Sequence, residues 1–157
     1  MGRRRASRPG SRGHEGCLDF IARQPQAKQG KVGITGYCMG GGIALRAAGT
    51  FPERIAAAAS FHGGNMATDA EDSPHLLANR IKAKLLIAGA DEDRSFDEAQ
   101  CERLAGALKG AGVDAEVSIW KGAKHGWVPT DMPVYNPEAA ERHWKELIGL
   151  FDGVLKD

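Results

Sequence analysis

The sequence predicts an α/β domain built on a mostly parallel sheet flanked by helices. Three observations carry that prediction. Short β-rich apolar runs alternate with helix-length segments along the chain, the order that βαβ units produce. Two of those runs, 55–61 (IAAAASF) and 84–88 (KLLIA), are almost continuously apolar, as strands buried on both faces are. The length of 157 residues suits one domain, and 42% hydrophobic with 26% charged residues is ordinary for a globular chain. That composition excludes a disordered chain, a collagen and a coiled coil. No stretch approaches the roughly 18 apolar residues of a membrane span.

Each element has its own signal. Residues 17–22 place apolar side chains at helical spacing and stop before Pro25. Residues 31–35 (KVGIT) are a short β-rich run. Residues 39–48 are small and apolar and read as a buried helix closed by Gly49. The strand at 55–61 leads into a loop over 62–73 rich in Gly, Asn and Asp, and the next strand is 84–88. Residues 96–111 put Phe96, Leu104, Ala107, Leu108 and Ala111 near one face, with Gly112 as a stop. Residues 115–120 alternate as a strand does. The last helix, 137–155, has Pro137 in its first turn and an apolar stripe of Ala140, Trp144, Leu147, Phe151 and Leu155.

Charge divides the chain unevenly. Net charge is +1, yet residues 1–14 hold five arginines and no acid, leaving the body at −4. Nothing in that balance draws the whole chain to nucleic acid or membrane. The Arg/Gly/Ser/Pro-rich start has no apolar periodicity and reads as a disordered leader, 1–14, ahead of the domain at 15–157. A nucleic-acid arm and a transit peptide are weaker readings of so short a stretch without aromatics. It also lacks the apolar core of a signal peptide. Cys17, Cys38 and Cys101 are an odd count with no CxxC spacing. They read as three free thiols in a reducing cytoplasm, with no metal site.

The stretch richest in chemistry is 33–42, GITGYCMGGG. It fits G-x-nucleophile-x-G with Cys38 as the nucleophile, after a strand and at the start of a helix. Side chains two residues either side of such a turn would collide with neighbouring elements, so Gly36 and Gly40 are expected to be needed. A helix N-terminus favours thiolate, and the amide of Met39 is expected to face a developing oxyanion. The opposing readings are a buried, inert cysteine and a phosphate-cradling turn. GxGxxG and the P-loop Lys-Ser/Thr are both absent.

In an α/β-hydrolase fold the acid and histidine of a triad follow the nucleophile in that order. Asp91 comes first after the strand at 84–88, and His125 lies in the loop before the last helix. Glu92, Asp93 and Asp97 are rival carboxylates, and position favours Asp91. His62 is the rival histidine because it also follows a strand. His62 is read as lining the substrate pocket with Tyr37 and Trp127, and Arg94 is a further candidate. His125 would act as acid and base, and Asp91 would hold its tautomer.

Together these residues resemble the dienelactone hydrolase family, the carboxymethylenebutenolidase-type α/β-hydrolases. The matching features are KVGITGYCMGGG at 31–42, the Gly89-Ala90-Asp91 strand end, Gly122–Trp127 (GAKHGW) and the tail at 135–144. The resemblance implies hydrolysis of a small-molecule ester or lactone through a cysteine-acyl intermediate on Cys38, with Asp91 and His125, and without metal or cofactor. Complete family members carry several more elements before the elbow strand, so this chain reads as the C-terminal part of such a fold. Two consequences are expected: a weakened oxyanion hole, and an exposed edge on the elbow strand that supports a homodimer. The competing reading is an inactive fragment that acts only by packing on another chain. A thiol redox role is weaker still, because no resolving cysteine is near in sequence.

Overall fold

The computed structural model describes residues 9–156. Four strands, β1 (Val32–Tyr37), β2 (Ile55–Phe61), β3 (Lys84–Ala90) and β4 (Ala115–Trp120), form one parallel sheet in the order 1-2-3-4. Four helices, α1 (Pro9–Ala22), α2 (Met39–Thr50), α3 (Glu98–Gly110) and α4 (Pro137–Leu155), flank it, and a 3₁₀ segment spans Pro74–Arg80.

The strands owe their burial to period-two alternation with both faces covered. On β3, Leu85 and Ile87 join the core under α2 and α3, which includes Leu45, Ile55, Phe96, Leu104 and Leu108. Leu86, Ala88 and Ala90 face the opposite core under α4, with Phe61, Trp120, Trp127, Leu147 and Leu150. Most of β2 is alanine, which lets the helices approach the sheet closely.

The predicted elements all occur, with boundary shifts that have local causes. β1 and β3 run two residues beyond their predicted ends. α3 starts at Glu98 because the Asp97 carboxylate accepts the Gln100 amide at 2.9 Å, while Phe96 is buried in the turn before it. Asn136 caps α4 in the same way, accepting from the Ala139 amide at 3.1 Å with Pro137 next. The boundary between a leader and a domain at residue 14 falls inside α1, which begins at Pro9. Composition argues against a free helix there, but Leu18 is buried, and Cys17, Leu18 and Ile21 border one hollow with Val32, Ile34 and Ala47. Docking of that face supports a helix that propensity alone does not. Residues 1–8 of the predicted leader lie outside the described residues.

All four strands point the same way, so their carboxyl ends share one edge of the sheet, where open α/β sheets hold their ligands. The elbow is built there by close approach. A Cβ on Gly36 would overlap the Gly40 carbonyl, whereas one on Gly40 would meet nothing within 4 Å. Only the first of the two expected glycine requirements is therefore steric. Gly36→Ala should cost about 3 kcal/mol or more, a drop of about 10 °C in thermal midpoint for a domain of this size. Gly40→Ala should be neutral or stabilising by up to about 1 kcal/mol. Paired thermal melts check both, and equal melting of the two variants would contradict the packing read here.

Candidate active site

Cys38 follows β1 at φ 53°, ψ −125°, a region a side-chain-bearing residue occupies only under strain. Its amide is shared between the Phe61 carbonyl at 3.2 Å and His62 Nδ1 at 3.1 Å. The residue is exposed, and Sγ lies 3.0 Å from His125 Nε2. His125 Nδ1 lies 2.6 Å from Asp93 Oδ2. An ionised carboxylate can only accept, so Nδ1–H donates to Asp93 and Nε2 is free to take the thiol proton.

Asp93, and not Asp91, is thus the carboxylate that meets His125. The sequence position nearest the strand misleads because Glu92 adopts φ 55°, turning the chain so that Asp93 faces back over the sheet. The Asp93 side chain is 9% exposed. Its Oδ1 accepts from the Ser95 amide at 2.8 Å and hydroxyl at 2.7 Å. Asp91 instead accepts from the Gly122 amide at 2.9 Å and pairs with Lys121 at 3.5 Å. It straps the end of β3 to the loop that carries His125.

The electrostatics follow the contacts. The hydrogen bond with His125 holds the Cys38 thiol below its ordinary range against slight desolvation, and the Met39 amide acts in the same direction. Burial lowers the His125 pKa, but its bonds to Asp93 and Cys38 outweigh burial and leave it raised. Burial likewise raises Asp93, and the donors His125 and Ser95 more than reverse it. His62 is pushed down to about 4, first by burial and then by the charge of His125.

The thiol opens into a cleft of about 460 Å³ lined by Met39, Gly42, Ile43, Arg46, Gly64, Asn65, Pro74 and Ser95, besides Cys38 and His125. That volume suits a small ligand. The three residues expected to line it do not. Tyr37 turns toward α4, with its ring stacked on Phe61 and its hydroxyl 2.6 Å from His143 Nε2. Trp127 is fully buried, and His62 is 4% exposed beneath the elbow. Arg94 borders a separate hollow with Asp91 and Lys121. The side chains of Met39, Ile43 and Arg46 carried a legible signal as a cleft wall: spacings of four and three put them on one face of α2 beginning next to Cys38. Asn65 and Ser95 come from loops and carried none.

The sequence model of the dienelactone hydrolase family matches residues 3–155. A protein of Synechocystis sp. named "Putative carboxymethylenebutenolidase" is 30% identical over 145 residues, covering 90% of this chain and 58% of its own length. The solved dienelactone hydrolase of Anabaena variabilis is 24% identical, with TM-score 0.64, over 89% of this chain and 57% of that one. A dienelactone hydrolase-like promiscuous phosphotriesterase from metagenomic libraries is 24% identical, with TM-score 0.77, over 92% of this chain and 61% of that one. The chain therefore spans about three-fifths of the length of these relatives.

The buried histidines make stability depend on pH. His62 falls from an ordinary 6.5 to about 4 in the fold, and burial lowers His143 as well. Below 6.5 the unfolded chain takes up protons that the folded chain refuses. The stabilisation is complete above pH 6.5 and is lost as pH falls toward about 4. His125, raised, acts in the opposite sense but only above 6.5. Denaturant midpoints should drop steadily between pH 6.5 and 4.5, with a shallower drop in His62→Asn. A midpoint constant over that range would contradict a neutral buried His62.

Proposed function

The chain belongs to the dienelactone hydrolase family, and from that premise we propose that it hydrolyses small carboxylic esters or lactones through a Cys38–His125–Asp93 relay. The observation that carries this reading is the continuous line of hydrogen bonds, 3.0 Å from Sγ to Nε2 and 2.6 Å from Nδ1 to Oδ2. In the first half-reaction Nε2 takes the thiol proton as Sγ attacks the carbonyl carbon. The carbonyl electrons move to oxygen, and the Met39 amide faces the oxyanion. The oxyanion collapses, the C–O bond to the leaving group breaks, and Nε2–H protonates the departing oxygen. A thioester on Cys38 remains. Water then attacks it with Nε2 taking the water proton, the C–S bond breaks, and the thiol regains its proton. Asp93 holds the imidazole orientation and stabilises its charged form.

Hydrolysis of p-nitrophenyl acetate tests the assignment. Cys38→Ala should abolish turnover above background, and His125→Ala and Asp93→Asn should each lose about 100-fold or more. Asp91→Asn should stay within about threefold of wild type, because the asparagine Oδ1 can still accept from the Gly122 amide and keep the strap while touching no reacting group. An Asp93→Asn enzyme with full activity would remove Asp93 from the mechanism.

Association of two copies is a second reading, favoured by β1. Among the described residues it pairs with β2 alone, and an open strand edge is a template for another strand. Size-exclusion chromatography with light scattering should give twice the 16.7 kDa chain mass. A clean monomer at micromolar concentration would sink the self-association.

A further inference from the structure

The proposed mechanism makes no use of His62, although its imidazole lies beneath the nucleophile. Its ring centroid is 5.0 Å from His125 and 5.0 Å, edge to face, from Trp127. Its own backbone sits at φ 42°, and its N–H donates a hydrogen bond of 2.8 Å to the Ala88 carbonyl. Nδ1 receives the Cys38 amide at 3.1 Å. A backbone amide has only a proton to offer, so Nδ1 carries none and the ring proton is on Nε2. That Nε2–H is buried and has no hydrogen-bond partner among the described residues. An apolar ring would fill the same space without an unsatisfied donor, whose burial is costly. The fold thus holds an imidazole where packing alone favours phenylalanine, and its Nδ1 is turned to the backbone amide of Cys38.

We propose that His62 is a positioning residue: its neutral imidazole clamps the Cys38 amide, holding the strained elbow in the orientation that presents Sγ to His125. The inference rests on the reading of Cys38 as nucleophile. The Cys38 amide is steadied from the end of β2 by the Phe61 carbonyl and the His62 ring together. Without the second acceptor, Sγ and Nε2 would spend less time at hydrogen-bond distance. Burial helps the clamp by keeping the ring unprotonated, because a charged ring would turn an N–H toward an N–H.

Peptide-resolved iodoacetamide labelling of Cys38 between pH 5 and 9, alongside p-nitrophenyl acetate kinetics, tests the clamp. His62→Phe keeps the ring but loses the acceptor. It should raise the inflection of Cys38 labelling by about one pH unit and lower kcat about tenfold with KM nearly constant, the scale of one lost hydrogen bond. His62→Asn accepts φ 42° easily and offers Oδ1 in place of Nδ1, so it should restore both values most of the way. If phenylalanine does not fold at that φ, His62→Gly, at ease there and without an acceptor, replaces it. Wild-type labelling and kcat in the acceptor-less variant would overturn the clamp. So would an asparagine variant as impaired as the acceptor-less one, since ring packing on Trp127 would then be the cause. Failure of the nucleophile reading looks different: the wild-type inflection itself would be ordinary and indifferent to His125→Ala.

Discussion

The backbone amide of Cys38 is held by two acceptors from the end of β2, and the rest of the site depends on that grip. The residue's φ of 53° is sustained because Gly36 lets the Gly40 carbonyl come within what would be overlap for any side chain. The strain, of order 1–3 kcal/mol for such a backbone, lifts the thiol out of the sheet and into the cleft. The same device recurs on the neighbouring strands. His62 after β2 and Glu92 after β3 also have positive φ, and each reverses the chain so that a side chain looks back over the carboxyl edge. A parallel sheet brings these three reversals together in space although they are about 25 to 30 residues apart in sequence.

Two imidazoles within 5.0 Å of one another are driven apart by their surroundings. His125 meets a carboxylate and a thiol, so its charged form is favoured. His62 meets an amide donor and aromatic rings, so its charged form is suppressed. Burial penalises charge at both, and only His125 has partners that reverse the penalty. Divergence of neighbouring titratable groups is the usual way a site assigns separate roles to similar side chains.

Asp91 illustrates how position and partner can disagree. It stands first after β3, yet its carboxylate faces Gly122 and Lys121. In that place it ties two strand ends together and so fixes the start of the loop that ends at His125. Asn136 reinforces the loop from the other side, donating to the Gly122 carbonyl at 3.2 Å while capping α4. Beyond the histidine the Asn136 amide donates to the Trp127 carbonyl at 3.1 Å, so His125 is held between two anchored ends although its own segment has no regular structure.

The α/β order, the four strands, the elbow at Cys38 and the partner His125 were legible in the chain itself. They depend on apolar periodicity, on glycine spacing and on motif order, all of which are local. The carboxylate that meets His125 was not, because Asp93 rather than Asp91 reaches the ring by way of the positive φ at Glu92. Nor were the places of His62, Tyr37 and Trp127. Tyr37 adjoins Cys38 in sequence, His62 follows β2 and Trp127 lies in the loop of His125, and each is directed inward by contacts with α4, β4 or the elbow itself. Sequence determined which residues arrive at the carboxyl edge of the sheet. Tertiary packing alone decided which of them face the cleft and which support it from below, because a side chain's direction at a strand end is set by the backbone's neighbours across the sheet.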